Sequence, residues 1–194
     1  MSPITPQNLL TLEIYDTVRP EMRKKAIALR KQRTVMLGEH LKLDFENEFL
    51  VRYQVLEMVR IKNLIDPQKI QDEIDSVKAL VPTGSNFKAS MLLEYPGRPD
   101  RIDILKRMKG VEKKVFIQVE GQPRVYAIAD EDMEYVEEDK TAAVHFLRFE
   151  LPLAARESLK GGAQIMVGCY HPEYPMHVGS LEPETLASLI EDLI

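Results

Sequence analysis

Cys169 is the only cysteine in this 194-residue chain, so an internal disulfide is excluded. No run of about 18 apolar residues occurs, which excludes a membrane-spanning helix. The opening Met1-Ser2-Pro3-Ile4-Thr5-Pro6 lacks the basic start and apolar core of a secretory signal. These three absences together point to a reducing, cytoplasmic setting. Catalytic signatures are missing too. There is no Gly-rich phosphate loop, dinucleotide fingerprint, His-Glu-x-x-His helix or nucleophile elbow, and no CxxC pair for zinc or an iron–sulfur cluster. The net charge of −5 argues against general binding to nucleic acid or to a membrane surface.

What is present is the composition of an ordinary globular chain, 44% hydrophobic and 29% charged, long enough to bury a core without staples. Charge is unevenly spread. Arg19, Arg23, Lys24, Lys25, Arg30, Lys31 and Arg33 lie close together, and seven of the residues from Asp130 to Asp139 are acidic. The two stretches read either as solvated surfaces or as patches that meet oppositely charged partners, including each other in a neighbouring subunit.

Residues 1–8 read as a flexible arm, 9–82 as a mainly helical part and 86–194 as a sheet-containing part of one domain. Pro20 suits the first turn of a helix on which Met22, Ala26 and Leu29 recur at helical spacing. Short apolar runs around Gly38 suggest a hairpin. Asn47 caps a helix to about Leu64 that is apolar nearly all round and is therefore expected to be buried. Asp66-Pro67 opens another helix, ended by Pro82-Thr83-Gly84-Ser85. Phe87 to Tyr95 alternates with period two, as a strand with one buried face does. A helix over 99–109, a hairpin of 115–119 with 124–129, a strand over 142–150, a short helix over 153–159, a strand over 163–170 and a last helix from Pro183 complete the pattern. Helices interrupt the strands without a βαβ rhythm. The expected class is α+β, a helical N-terminal third packed on a largely antiparallel sheet with additional helices.

Polar groups in apolar settings are the candidate site residues. Gln54, Glu57 and Arg60 sit at successive three-residue intervals on the apolar helix, and Arg148 interrupts the strand over 142–150. Glu57 and Arg60 read as an internal ion pair or as the lining of a ligand pocket. Arg148 reads as outward-facing or as a partner of Glu46 or Glu57. Cys169 and His171 share one face of their strand, because side chains alternate. His177 lies six residues on, beyond a stiff Pro172-Glu173-Tyr174-Pro175 turn, and His145 shares a face with Leu147 and Phe149. Thiolate and imidazole ligate zinc or iron well, so Cys169, His171, His177 and His145 form a candidate transition-metal site, with Glu173 available as an oxygen donor. Ordinary packing is the competing reading of the same residues.

Phe45-Glu46-Asn47, Tyr53-Gln54 through Glu57-Met58 and Arg60, Met91-Leu92-Leu93-Glu94-Tyr95-Pro96, Val144–Phe149 and His171-Pro172-Glu173-Tyr174 stand in an order and spacing that matter. Together they resemble an uncharacterised bacterial family, domain of unknown function 3501, over nearly the whole chain. The resemblance implies a stand-alone bacterial protein whose gene lies near those for rubrerythrin-like proteins and iron–sulfur oxidoreductases, and hence a link to redox or peroxide metabolism. It supplies no catalytic residues, and Cys169 is not part of the recurrent pattern. The resulting expectation is a non-catalytic binding or accessory protein. It would act with a redox-protein partner or as a homo-oligomer and would bind neither nucleic acid nor membrane. The alternative is a metal-binding protein or metalloenzyme using the Cys/His set.

Overall fold

The structure, a computed structural model, describes residues 3–129 and 140–194. The acidic stretch 130–139 lies outside the described residues. Three helices form the N-terminal layer: α1 (Leu12–Gln32), α2 (Glu48–Ile61) and α3 (Pro67–Val77). Thr11 starts α1 by accepting the Ile14 N–H at 3.4 Å, so the helix begins well before Pro20 and carries that proline inside it. A proline there forfeits one helical hydrogen bond. The loss is offset because the added N-terminal turns bring Tyr15 and Arg19 onto α2. Asn47 caps α2 through Leu50 N–H at 2.9 Å, and Asp66 caps α3 with Pro67 in its first turn, both as the sequence implies.

Val51, Val55 and Val59 of α2 bury against Ile74 of α3, with Leu80 and Ile4 closing the cluster. The i, i+4, i+8 spacing in α2 provides the stripe. Residues 3–8 are therefore not the loose arm expected from the sequence: Ile4 is buried in this cluster, and Pro6–Asn8 form a 3-10 turn tied by Thr5 N–H to Asn8 Oδ1 at 2.9 Å.

Two antiparallel sheets, rather than one, follow. β1 (Thr34–Leu37), β2 (Leu41–Glu46), β3 (Asn86–Leu93), β7 (Val144–Glu150) and β6 (Ile128–Ala129) lie side by side in that order. The second sheet runs β5 (Arg124–Tyr126), β4 (Val115–Val119), β8 (Ile165–His171), β9 (Tyr174–Val178). The run 124–129, which reads as one strand, is divided between them. Arg124–Tyr126 pairs with β4, buried Ala127 donates to Val115 O at 2.9 Å, and Ile128–Ala129 crosses to pair with β7. The helices α4 (Arg101–Arg107), α5 (Leu153–Lys160) and α6 (Pro183–Ile190) complete an α+β fold.

The inward parity of both sheets forms one continuous core. Leu41, Leu43 and Phe45, then Phe87, Ala89 and Met91, come from the five-stranded sheet. Val115, Ile117, Val167 and Cys169 come from the other. Each large apolar side chain fully removed from water contributes about 1.5–3 kcal/mol. Two polar side chains hold the layers in register. Arg33, 1% exposed, donates to Phe45 O, to Ser188 O and Oγ, to Glu46 O and to the Asp192 carboxylate, so all of its N–H groups are used. Tyr174 Oη donates to Leu37 O at 2.5 Å and accepts from His40 N–H at 3.1 Å, which stitches β9 to the β1–β2 turn. Gly38 in that turn has φ +67°, and a Cβ there would lie 2.7 Å from Tyr174 Oη, so the contact requires glycine.

Candidate functional site

The Cys/His set is partly assembled and partly scattered. Cys169 and His171 do share the inward face of β8, as their spacing implies, and both are buried. Burial pushes the Cys169 thiol above its ordinary range. His171 is committed on both ring nitrogens. The Glu173 N–H donates to Nδ1 at 3.3 Å, so Nε2 carries the proton and donates to Lys109 O at 3.2 Å. His177 goes elsewhere. The β8–β9 hairpin turns at Pro172–Glu173, and its register sets His177 opposite Gly168 rather than Cys169. That parity puts His177 on the outer face, exposed. His145 is buried on β7 in the other sheet, with Nε2 2.7 Å from Thr141 Oγ1 and 4.0 Å from Glu112 Oε2. Among the described residues, no three His, Cys, Asp or Glu side chains are placed to hold a metal ion together.

The polar residues of α2 lock helices together. Glu57 takes Arg19 Nε at 2.6 Å and Nη2 at 2.9 Å, accepts the Tyr15 hydroxyl at 2.6 Å, and has Arg60 Nε at 3.5 Å. The Arg19 guanidinium, with Tyr15, holds the Glu57 carboxyl down at about 2. Burial and the adjacent Glu57 raise Tyr15. Arg60 is thus a secondary partner, and the main ones lie on α1, 38 and 42 residues away in sequence. Gln54 is half-buried beside them. Arg148 pairs with Glu150 at 2.6 Å, while Glu46 is held by Arg30 at 2.8 Å and Ser90 at 3.0 Å. The basic stretch divides accordingly: Arg19, Arg30 and Arg33 bond inside the fold, and Arg23, Lys24 and Lys31 are exposed.

A different surface combines exposed aromatic rings, an arginine and an adjoining cleft: the outer face of the four-stranded sheet. Alternation sends Phe116 and Gln118 of β4 outward while Val115, Ile117 and Val119 face the core. The register then places Tyr126 beside Phe116, Phe116 beside Gly168, and Gly168 beside His177. Gly168 makes room for a ring. A Cβ there would sit 2.5 Å from Phe116 Cζ, so only glycine lets Phe116 lie down across the sheet. Around it stand Tyr126, 45% exposed and 5.7 Å away between ring centroids, and Tyr170, 64% exposed. The Arg124 guanidinium lies 4.4 Å over the Phe116 ring and 5.2 Å from that of Tyr170, within cation–π range. Gln118 Oε1 accepts from its Nε at 3.4 Å. Among the described residues no carboxylate comes within ion-pair distance of Arg124.

A cleft of about 340 Å³ opens at one end of this face, where Gln118 and Met166 belong to both surfaces. Gln164, Ser180 and Glu120 also line it. The arrangement can stack a flat ligand, attract negative charge and hydrogen-bond hydroxyl or amide groups. Sequence reasoning passed over it because each aromatic sits alone in its strand. The available signal was that Phe116, Tyr126 and Tyr170 occupy the outward parity.

Comparison with known proteins agrees with this fold. The family model described as "Protein of unknown function (DUF3501)" matches residues 3–193. A crystal structure of a novel protein of unknown function from Burkholderia pseudomallei K96243 is similar over 100% of both chains, with 45% identity and a TM-score of 0.93. No curated protein matches.

Proposed function

The chain belongs to the DUF3501 family, and from the geometry above we propose that it is a non-catalytic binding or accessory protein whose recognition surface is the outer face of the four-stranded sheet. One observation carries this reading. Tyr126, Tyr170 and Arg124 stand exposed on the sheet beside a polar cleft, and among the described residues Arg124 meets rings instead of an acid. Exposed aromatics and arginine are the side chains that dominate binding energy where surfaces meet ligands. Elsewhere, Glu57, Arg33 and His171 have their hydrogen-bonding capacity used inside the fold.

We place the protein in the cytoplasm, where its one buried thiol stays reduced. The gene neighbourhood implied by the family resemblance makes a redox protein one partner to try, and a second copy of this chain another. The competing reading is a transition-metal site at Cys169 and His171, which would require His171 to surrender its bond to Lys109 O or to Glu173 N–H.

Amide-shift mapping on the purified protein separates the readings. Zinc, ferrous iron and a panel of small planar, hydroxylated and anionic compounds would be titrated in turn. The proposal expects shifts to cluster on β4, β5, β8 and β9 around Gln118, Arg124, Tyr170 and His177. Stoichiometric metal uptake that shifts Cys169 and His171, with the sheet face silent, would contradict it.

A further inference from the structure

The geometry points to a free nucleotide as the ligand of the outer face of the four-stranded sheet. This inference rests on reading that face as a recognition surface and adds what it recognises.

Three features converge on that chemistry. The first is a stacking surface. The Arg124 guanidinium lies over the rings of Phe116 and Tyr170, 4.4 and 5.2 Å from their centroids. Tyr170 is 64% exposed, and among the described residues its hydroxyl makes no hydrogen bond. Rings and stacked guanidinium planes take up nucleobases without regard to sequence, because every base offers a π-face.

The second feature is charge. The chain carries 31 Asp and Glu against 26 Lys and Arg. Yet the outward positions of the four strands, from Arg124 and Tyr126 through Phe116 and Gln118 to Tyr170 and His177, contain no carboxylate. A negative ligand lying on the strands therefore meets Arg124 with no carboxylate beside it on the sheet, while Glu120 lies beyond, in the cleft. The chain-wide charge, which argued against nucleic acid, does not describe this face.

The third is the cleft. Gln118 and Gln164 offer amide donors and acceptors, Ser180 a hydroxyl, and Glu120 an acceptor for paired hydroxyls. Stacking face, guanidinium and hydroxyl-binding cleft correspond to base, phosphate and sugar. A neutral oligosaccharide would use the rings and the cleft but leave the Arg124 charge without a role. A single strand, by contrast, would need cations spaced along its backbone, and the outward strand positions offer Arg124 alone, so the free unit is the favoured source.

Calorimetric titration of the full chain with adenosine 5′-monophosphate, a single-stranded deoxyadenylate octamer and maltohexaose tests this. Monophosphate binding is expected, weakened roughly tenfold or more by Tyr170→Ala and by Arg124→Gln, and weakened by salt. Lys24→Ala, on the exposed part of α1, should leave it unchanged. Equal affinity per nucleotide for monophosphate and octamer identifies the free unit. An octamer that binds tenfold tighter overturns the free unit in favour of a strand. Maltohexaose binding that Tyr170→Ala abolishes, with both nucleotides silent, overturns the nucleotide inference and leaves the recognition surface standing. No binding of any probe, together with a dimer that Tyr170→Ala converts to monomer, overturns the inference and assigns the face to a second copy. A monomer that binds no probe overturns both readings. Because Tyr170 and Arg124 are exposed, a melting temperature unchanged in either variant confirms that lost binding is not lost folding.

Discussion

On the outer face of the five-stranded sheet, charge is answered within the fold. Asp44 accepts Thr34 Oγ1 at 2.6 Å and has Lys42 at 3.5 Å, Glu46 holds Arg30 and Ser90, and Glu150 holds Arg148. On the outer face of the four-stranded sheet, Arg124 lies over Phe116 and Tyr170, and among the described residues it makes no ion pair. The same two-residue alternation builds both. On the first face the β2 carboxylates are buried, with Glu46 only 2% exposed, while Val144, Phe146 and Ile128 on its β7–β6 side stand in water. The second keeps Tyr126 and Tyr170 in water. Polar groups satisfied at home stabilise and orient; groups left without a partner of opposite charge are free to recognise something else.

Substitutions can break this contrast, in descending size. Arg33→Met should cost the most, about 3–5 kcal/mol, because it strands the buried Asp192 carboxylate and the carbonyls of Phe45, Glu46 and Ser188. Urea unfolding at neutral pH measures it, and a loss below 1 kcal/mol would show that the five-stranded sheet does not depend on this clamp. Gly168→Ala should cost about 1–3 kcal/mol by forcing the Phe116 ring out of its bed. It should also disturb Tyr126 and Arg124 without touching the five-stranded sheet. Loss of the Phe116 and Tyr126 ring-current shifts, with those of Phe45 and Phe87 retained, would report this.

Two carboxyls should give opposite pH responses. Arg19 holds Glu57 at about 2 against an ordinary 4.5. Its contribution to stability is complete above pH 4.5 and is lost as pH falls toward 2. Burial pushes Asp192 up to about 6 from 3.8, against the pull of Arg33. Between those values the folded chain binds a proton that the unfolded chain does not. Its contribution is therefore full below pH 3.8 and is lost as pH rises through 6. Stability measured from pH 2 to 7 should lose its acid limb in Glu57→Gln. It should lose the decline between pH 4 and 6 in Asp192→Asn. Identical profiles in both variants and the parent would remove these groups from the account.

Local signals in the sequence were read well. The Asn47 cap, the Asp66-Pro67 start, the alternation of Phe87–Leu93 and the shared face of Cys169 and His171 each depend on neighbours within a turn or a strand. What escaped depends on distant partners. Glu57 suggested Arg60, yet its closest bonds come from Tyr15 and Arg19 on another helix. His177 looked ready to fold back on Cys169, but a hairpin register one residue different in parity sends it to the other face. Arg124–Ala129 reads as one strand because nothing local marks Ala127 as the point where it changes sheets. The aromatic platform was least legible, since Phe116, Tyr126 and Tyr170 become neighbours only when three strands pair.

The most direct test of the contrast compares two double variants in parallel, Tyr170→Ala with Arg124→Gln and Arg148→Ala with Glu150→Ala. Urea unfolding free energy and monophosphate affinity would be measured for each. The account expects the first pair to change stability by no more than about 0.5 kcal/mol and to abolish binding. It expects the second to lose about 1 kcal/mol and to bind as the parent does. Equal binding by all three proteins, or a first pair that unfolds more readily than the second, would contradict the division between a face that holds the fold and a face that meets a ligand.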